Sequence, residues 1–222
     1  MLQPIKNKFY KKFHTSFAKS GVDLQLFQIL KQKKNGFFVD IGSHHPIIAN
    51  NTFFFHLRGW RGICVDPNPE FASMYKKKRP EDIFLNVGIS SQTEASLNYY
   101  KLRKELSARN SFSKEYINNN NLNENVEQII SIKIMSLTEV FSQNCSTTPI
   151  DILSVDCEGL DFDVLKSNDW NKYRPKIVCI ETHDTLENDL ISETANFMNQ
   201  AGYTIKGKTM QGEHVGTLFF ME

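Results

Sequence analysis

Five short runs of this chain are apolar at both odd and even positions, and stretches with apolar residues at helical spacing separate them. The runs cover 37–41, 62–66, 83–87, 151–156 and 176–181, and each predicts a strand buried on both faces. The intervening stretches predict helices over 52–58, 70–78, 136–141, 161–166 and 188–200. Strands of this kind alternating with helices predict an α/β domain: a mostly parallel sheet with helices on both faces. Residues 203–206 and 215–221 read as two further strands around a Gly-containing loop, a C-terminal antiparallel hairpin. No internal repeat is visible.

Two regions break the alternation. Residues 1–35 read as an N-terminal helical extension ahead of a domain over 36–222, with a helix over 24–30 stopped near Asn35-Gly36. Within its first twenty residues Lys6, Lys8, Lys11, Lys12 and Lys19 interleave with Phe9, Phe13 and Phe17, whose rings share one helical face. Such a helix, over 5–19, suits either a peripheral membrane or partner contact, including a homodimer, or packing on its own domain. The second break is polar and spans 101–130, between strand-like residues 97–100 and 131–135. It includes Asn118 to Asn121 and reads as a lid or substrate loop, or as a disordered surface excursion, and is expected to be the most mobile part.

Composition narrows the function classes. A chain of 222 residues, 40% hydrophobic, can bury a core without disulfides or structural metals. With 26 basic and 25 acidic side chains, the bulk charge excludes a strongly basic nucleic-acid binder. Four cysteines form no CxxC or Cys/His ligand spacing, and Cys64, Cys157 and Cys179 lie in or beside apolar runs, as reduced buried thiols do. No run of 18 apolar residues and no secretory h-region is present, so a cytoplasmic enzyme without a transmembrane segment is expected.

The chemistry gathers at the strand ends. Asp40, Asp66, Asp156 and Glu181 close four of the apolar runs, and Asn86 lies near the end of the fifth. In an open parallel sheet the carboxyl ends of the strands border the ligand crevice. A lone acid there is commonly a cap; four together point to a shared pocket. The first turn, Asp40-Ile41-Gly42-Ser43-His44-His45-Pro46, lets the backbone turn tightly beside a ligand at Gly42. Asp66 offers two oxygens to a ribose, or caps the helix after Pro69. Without a GxGxxG run a pyrophosphate is poorly served. S-adenosylmethionine has no phosphate, and a ring of acids suits its ribose, amino group and sulfonium.

The segments 37–46, Asn51-Thr52 and Gly59-Trp60-Arg61-Gly62-Ile63-Cys64-Val65-Asp66-Pro67-Asn68-Pro69 resemble the FkbM-type methyltransferase family. So do Asp151-Ile152-Leu153-Ser154-Val155-Asp156-Cys157-Glu158-Gly159-Leu160-Asp161, Arg174-Pro175-Lys176 and Ile180-Glu181. The resemblance implies a class I, Rossmann-like fold that binds S-adenosylmethionine and methylates hydroxyl groups, often on sugars or polyketides. It implies that Asp40, Gly42, Ser43, His44 and Thr52 border the methionine and sulfonium part. It places Asp66, with Pro67 and Asn68, at the ribose, and Asn86, Val87 and Gly88 at the adenine. Asp156 and Glu158 then lie near the transferred methyl. His45-Pro46 stands where many relatives carry an acid and a glycine, and Asp161 where a longer glutamate is usual.

Methyl transfer needs an acceptor oxygen held in line and a base nearby. Asp156, Glu158, His44, His45, Glu181 and His183 are candidate bases. In an extended segment Asp156 and Glu158 point to the same side, and Asp156, Glu158 and His183 form the expected catalytic group. A divalent cation, if used, falls to Asp156, Glu158 and Glu181 through oxygen ligands. The expected reaction is O-methylation of a saccharide, a surface glycan or its precursor. A nicotinamide-dependent oxidoreductase and a catalytically inactive binding module of the same fold are the alternatives.

Overall fold

The hydrophobic runs do become strands. In this computed structural model, which describes residues 10, 12 and 14–222, they assemble into a seven-stranded sheet and a separate three-stranded one. The expected rings Phe9 and Phe13, and Lys6, Lys8 and Lys11, lie outside the described residues. The helices are α1 (Val22–Ile29), α2 (Phe53–Leu57), α3 (Glu70–Lys78), α4 (Lys114–Asn119), α5 (Leu137–Asn144), α6 (Asp161–Lys166), α7 (Leu186–Ile191) and α8 (Glu193–Gln200). The strands are β1 (Phe37–Ile41), β2 (Arg61–Val65), β3 (Ile83–Leu85), β4 (Gly88–Ile89), β5 (Ser96–Leu102), β6 (Val126–Met135), β7 (Ile152–Val155), β8 (Ile177–His183), β9 (Thr204–Met210) and β10 (Val215–Met221).

The main sheet runs β3-β2-β1-β7-β8-β10-β9. Its first five strands are parallel, and the C-terminal hairpin adds antiparallel with β10 between β8 and β9. Alternate side chains feed two cores. Val39, Ile41, Val65, Leu153, Val155 and Ile180 meet α5, α6 and α8 on one face. Phe38, Cys64, Ile152, Ile177 and Cys179 meet α1, α2 and α3 on the other. Phe17 belongs to this second side, with its ring centroid 4.8 Å from that of Phe53, so this part of the N-terminal pattern packs on its own domain.

Three departures from the sequence pattern have local causes. The expected 83–87 strand stops at Leu85, and Gly88-Ile89 pairs instead with β6 in the small sheet. A side chain at Gly88 would strike the Phe112 ring, its ideal Cβ lying 2.5 Å from that ring, so this crossing between sheets depends on glycine. The expected 188–200 helix is two helices, because Ser192 adopts an extended ψ of 159° and its hydroxyl accepts from Ala195 N to start α8. Finally, the polar insertion folds: Leu102, Ile117 and Leu122 form its own small core. Among the described residues no helix is long and apolar enough to cross a membrane.

Candidate active site

The register of the parallel strands sets the site. Ile41 lies beside Val65 on one side and Val155 on the other, while Val65 pairs with Leu85 and Val155 with Ile180. The residues that follow, Asn86, Asp66, Gly42, Asp156 and Glu181, therefore stand at one level across five neighbouring strands, Glu181 still within β8. A cavity of about 260 Å³ opens there, bordered by Gly42, His44, His45, Asp66, Pro67, Val87, Gly88, Asp156 and Glu158.

Gly42 is required by the turn. It has φ +76, and a Cβ there would sit 1.8 Å from the Asp156 carbonyl oxygen. Its amide and that of Ser43 both donate to the Val65 carbonyl, which ties the turn to β2. Asp66 accepts from the backbone amides of His44 and Asn68, each at 2.8 Å. Burial outweighs these bonds and pushes its carboxyl up to about 7. The capping expected near Pro69 is done by Asn68, whose Oδ1 accepts from Glu70 N. Burial lowers His44 to about 4, so its ring is neutral near pH 7; it packs against Phe71 and lies 3.2 Å from Ser107 Oγ. His45 turns its Nδ1 onto the amides of Ile47 and Ile48, and burial lowers its pKa as well.

Beyond Gly42 the acids lie close together. Asp156 is raised well above the carboxylate range, first by burial and then by the neighbouring Glu181 charge. Glu181 stays low despite its burial, because the hydrogen bond with His183 and the one with Asp156 both favour its anion. Proton affinity in this pair is raised at Asp156 and lowered at Glu181. His183 Nε2 lies 3.2 Å from Glu181 Oε2, and that bond raises the imidazole. Glu158 has a left-handed φ of 46°, accepts from the Tyr116 hydroxyl and is raised by burial. Asp161 accepts from Cys157 N and is pushed up to about 6 by burial. Glu158, Glu181 and His183 have ligand atoms within 4.8 Å of one another and could hold a metal ion, with His183 in the place expected for Asp156.

Several sequence-predicted residues stand outside the cavity lining. Asp40 precedes the strand end and points to the opposite face, where Thr52 Oγ1 donates to it at 2.7 Å. Thr52 is fully buried and takes a bond from Arg79, whose guanidinium also reaches Asp82 and Asn50. Ser43 and Asn68 are buried beside the turn, and Asn86 donates its amide to the Asp66 carbonyl. Glu181 and His183 also stand outside the lining, with His183 Nε2 bonded to Glu181.

Sequence reasoning missed the other wall. β5 contributes Tyr99, the insertion Ser107, Asn110, Ser111 and Phe112, and Lys19 and Cys157 also line the space. The polar character of the 101–130 stretch was the one available signal, and it named no residue. Ser111 pairs through its backbone with Tyr100, and its hydroxyl donates to the Glu158 carbonyl at 3.0 Å.

The methyltransferase FkbM domain matches residues 40–205, well over half of the chain. No curated protein sequence matches it. Among solved structures, a TehB-like SAM-dependent methyltransferase from Corynebacterium glutamicum aligns over 99% of this chain and 99% of its own, with 10% identity and a TM-score of 0.47. A Burkholderia thailandensis 1,6-didemethyltoxoflavin-N1-methyltransferase with bound S-adenosylhomocysteine aligns over 95% and 80%, at 12% identity and a TM-score of 0.48. An O-methyltransferase from Bacillus cereus in complex with SAH aligns over 92% and 80%, at 13% and 0.42.

Proposed function

We propose, from the premise that the chain belongs to the FkbM methyltransferase family and is a SAM-dependent methyltransferase, that it methylates a hydroxyl of a saccharide, a surface glycan or its precursor. The family match removes the support for a nicotinamide-dependent oxidoreductase, which also lacks a glycine-rich phosphate turn after Gly42. The observation that carries the hydroxyl reading is the group of carboxyls gathered where Asp156 and Glu158 border the cavity.

The residues fit an adenosyl sulfonium. Asp66 spends one lone pair of each oxygen on a backbone amide, which leaves acceptor capacity for two ribose hydroxyls. Gly42 keeps the floor of the turn clear of a side chain, Pro67 lies beside Asp66, and Val87 and Gly88 offer an apolar wall to a base. In the carried-over roles Asp40 and Thr52 act from behind the turn, with Ser43 and Asn68 supporting it and His44 as a neutral neighbour. Asn86 braces the Asp66 carbonyl. When bound, the cofactor supplies a methyl group already activated for in-line displacement.

Glu158 takes the proton of the acceptor hydroxyl. Its raised pKa brings it nearer the working range of a base, and the Tyr116 hydroxyl fixes its orientation. Asp156 and Glu181 lie as neighbouring carboxyls beside it, and His183 bonds Glu181. Glu158→Gln keeps the bond to Tyr116 and removes the base. In assays with labelled donor and extracted surface glycans, it is expected to lower methyl incorporation about 10²-fold or more. Full incorporation by this variant excludes Glu158 as the base, and labelling confined to nitrogen acceptors excludes the hydroxyl reading.

A further inference from the structure

The cavity of about 260 Å³ is no larger than one drug-sized ligand needs, so the cofactor fills it and the body of an acceptor lies outside. A second cavity, of about 350 Å³, opens on the far side of a wall made by Ile89, Phe112 and Leu160, which border both. That wall stands next to the proposed base. Leu160 follows Glu158 by two residues, and Ser111, which precedes Phe112, donates its hydroxyl to the Glu158 carbonyl. One strand serves both spaces: Tyr99 of β5 borders the first, and its neighbours Asn98 and Tyr100 border the second, in keeping with the alternation of a strand.

The second cavity has a chemistry of its own. Gln92, Asn98, Tyr100, Ser113 and Asp163 supply its polar groups. The two carboxamides and the phenol make no side-chain hydrogen bond with a described residue. Ser113 Oγ accepts from Tyr116 N and keeps its own proton to donate, while Asp163 is anchored by the Ser90 and Ser91 hydroxyls and keeps lone pairs. A carboxamide donates and accepts side by side, which matches a neighbouring pair of sugar hydroxyls. The rings of Tyr100 and Phe112 offer apolar surface to the C–H face of a pyranose. Among the described residues no lysine, arginine or histidine borders this cavity, so an anionic group finds no counter-charge in it. We propose that the second cavity receives the sugar unit next to the one methylated, so that the acceptor is a neutral oligosaccharide lying across Phe112 and Leu160. The assignment rests on the saccharide reading of the reaction.

Surface glycans, extracted and cut by partial acid hydrolysis into oligosaccharides and single sugars, test this with labelled donor. The wild type is expected to methylate the oligosaccharides with a kcat/KM about tenfold or more above that for single sugars. Gln92→Ala combined with Asn98→Ala removes both carboxamides, which are exposed and make no side-chain bond within the described fold. This variant is expected to lose most of the preference, chiefly through a higher KM for oligosaccharides. The ratio is internal to each protein, so a change in overall activity does not enter it. A variant that keeps the wild-type ratio overturns the assignment, and so does a wild type that treats all lengths alike. A wild type that binds S-adenosylhomocysteine but labels no sugar of any length overturns the saccharide reading, and this assignment with it.

Discussion

Two groups of buried acids differ in the cation beside them. Asp40 and Asp82 flank Arg79, which is 0% exposed and donates to Asp82, Asn50 and Thr52. Asp82 is held below the usual range: burial opposes ionisation, but the His56 hydrogen bond and the Arg79 charge outweigh it. Asp156, Glu158 and Asp161 have no arginine, and all three are raised, by burial first. Asp82 is compensated by that cation, whereas burial still raises Asp40 against the Thr52 bond and the Arg79 charge. The second group stores proton affinity at the cavity. A carboxylate at a strand end is structural or reactive according to the cation that its face of the sheet supplies.

That contrast can be broken from the structural side. Arg79→Met leaves Asp40 and Asp82 buried without their cation, and denaturant unfolding is expected to show a loss of about 3–5 kcal/mol. A loss below about 1 kcal/mol means that the network is not what holds the turn. From the reactive side, Asp156→Asn removes the ionisable group that burial and the Glu181 charge raise. Methyl transfer is expected to fall about 10²-fold, while thermal stability at pH 8 stays level or rises. The sign follows from linkage. Below the ordinary value of 3.8 the carboxyl is protonated folded and unfolded, so it adds no pH dependence there. Above it the unfolded chain releases the proton that the fold retains, so the parent loses stability and the variant does not. A variant that melts well below the parent at pH 8 places Asp156 with the structural acids.

A smaller effect sharpens the comparison at Asp66, pushed up to about 7 by burial. Its anion is the better ribose acceptor, so affinity for S-adenosylhomocysteine is expected to be flat above about pH 8. Below 7 it weakens by up to about tenfold per unit. His44, lowered to about 4, does not titrate in this window. Calorimetry between pH 5.5 and 8.5 measures the slope, and Asp66→Asn should abolish it. A wild-type profile flat across neutrality removes Asp66 from the ribose.

Much of this was legible in the chain. The apolar runs located the five parallel strands within a residue or two at most boundaries; burial on both faces favours unbroken runs in β2 and β7, whereas edge strand β3 is only partly buried. Gly42, Asp66 and Asp156 stand at the ends of adjacent strands, as their positions after those runs implied. Arg79 follows Lys76, Lys77 and Lys78 at the end of a helix and carried no signal of its own; the three lysines are exposed and the arginine is not. Asn110 and Phe112 were hidden in a stretch whose composition gives no sign of where it folds back.

By itself the sequence determined which segments form the parallel strands, and that acids cluster near their ends, since hydrophobic periodicity is a local property of the chain. Only the tertiary structure decided which acids act together. A shift of one residue sends a side chain to the other face, so Asp40 meets Thr52 behind the turn while Asp156 borders the cavity. Whether a carboxyl keeps its proton depends on desolvation and on charges brought in from distant segments: Arg79 to one group, Glu181 and His183 to the other. Those energies do not exist until the strands pair and water is excluded.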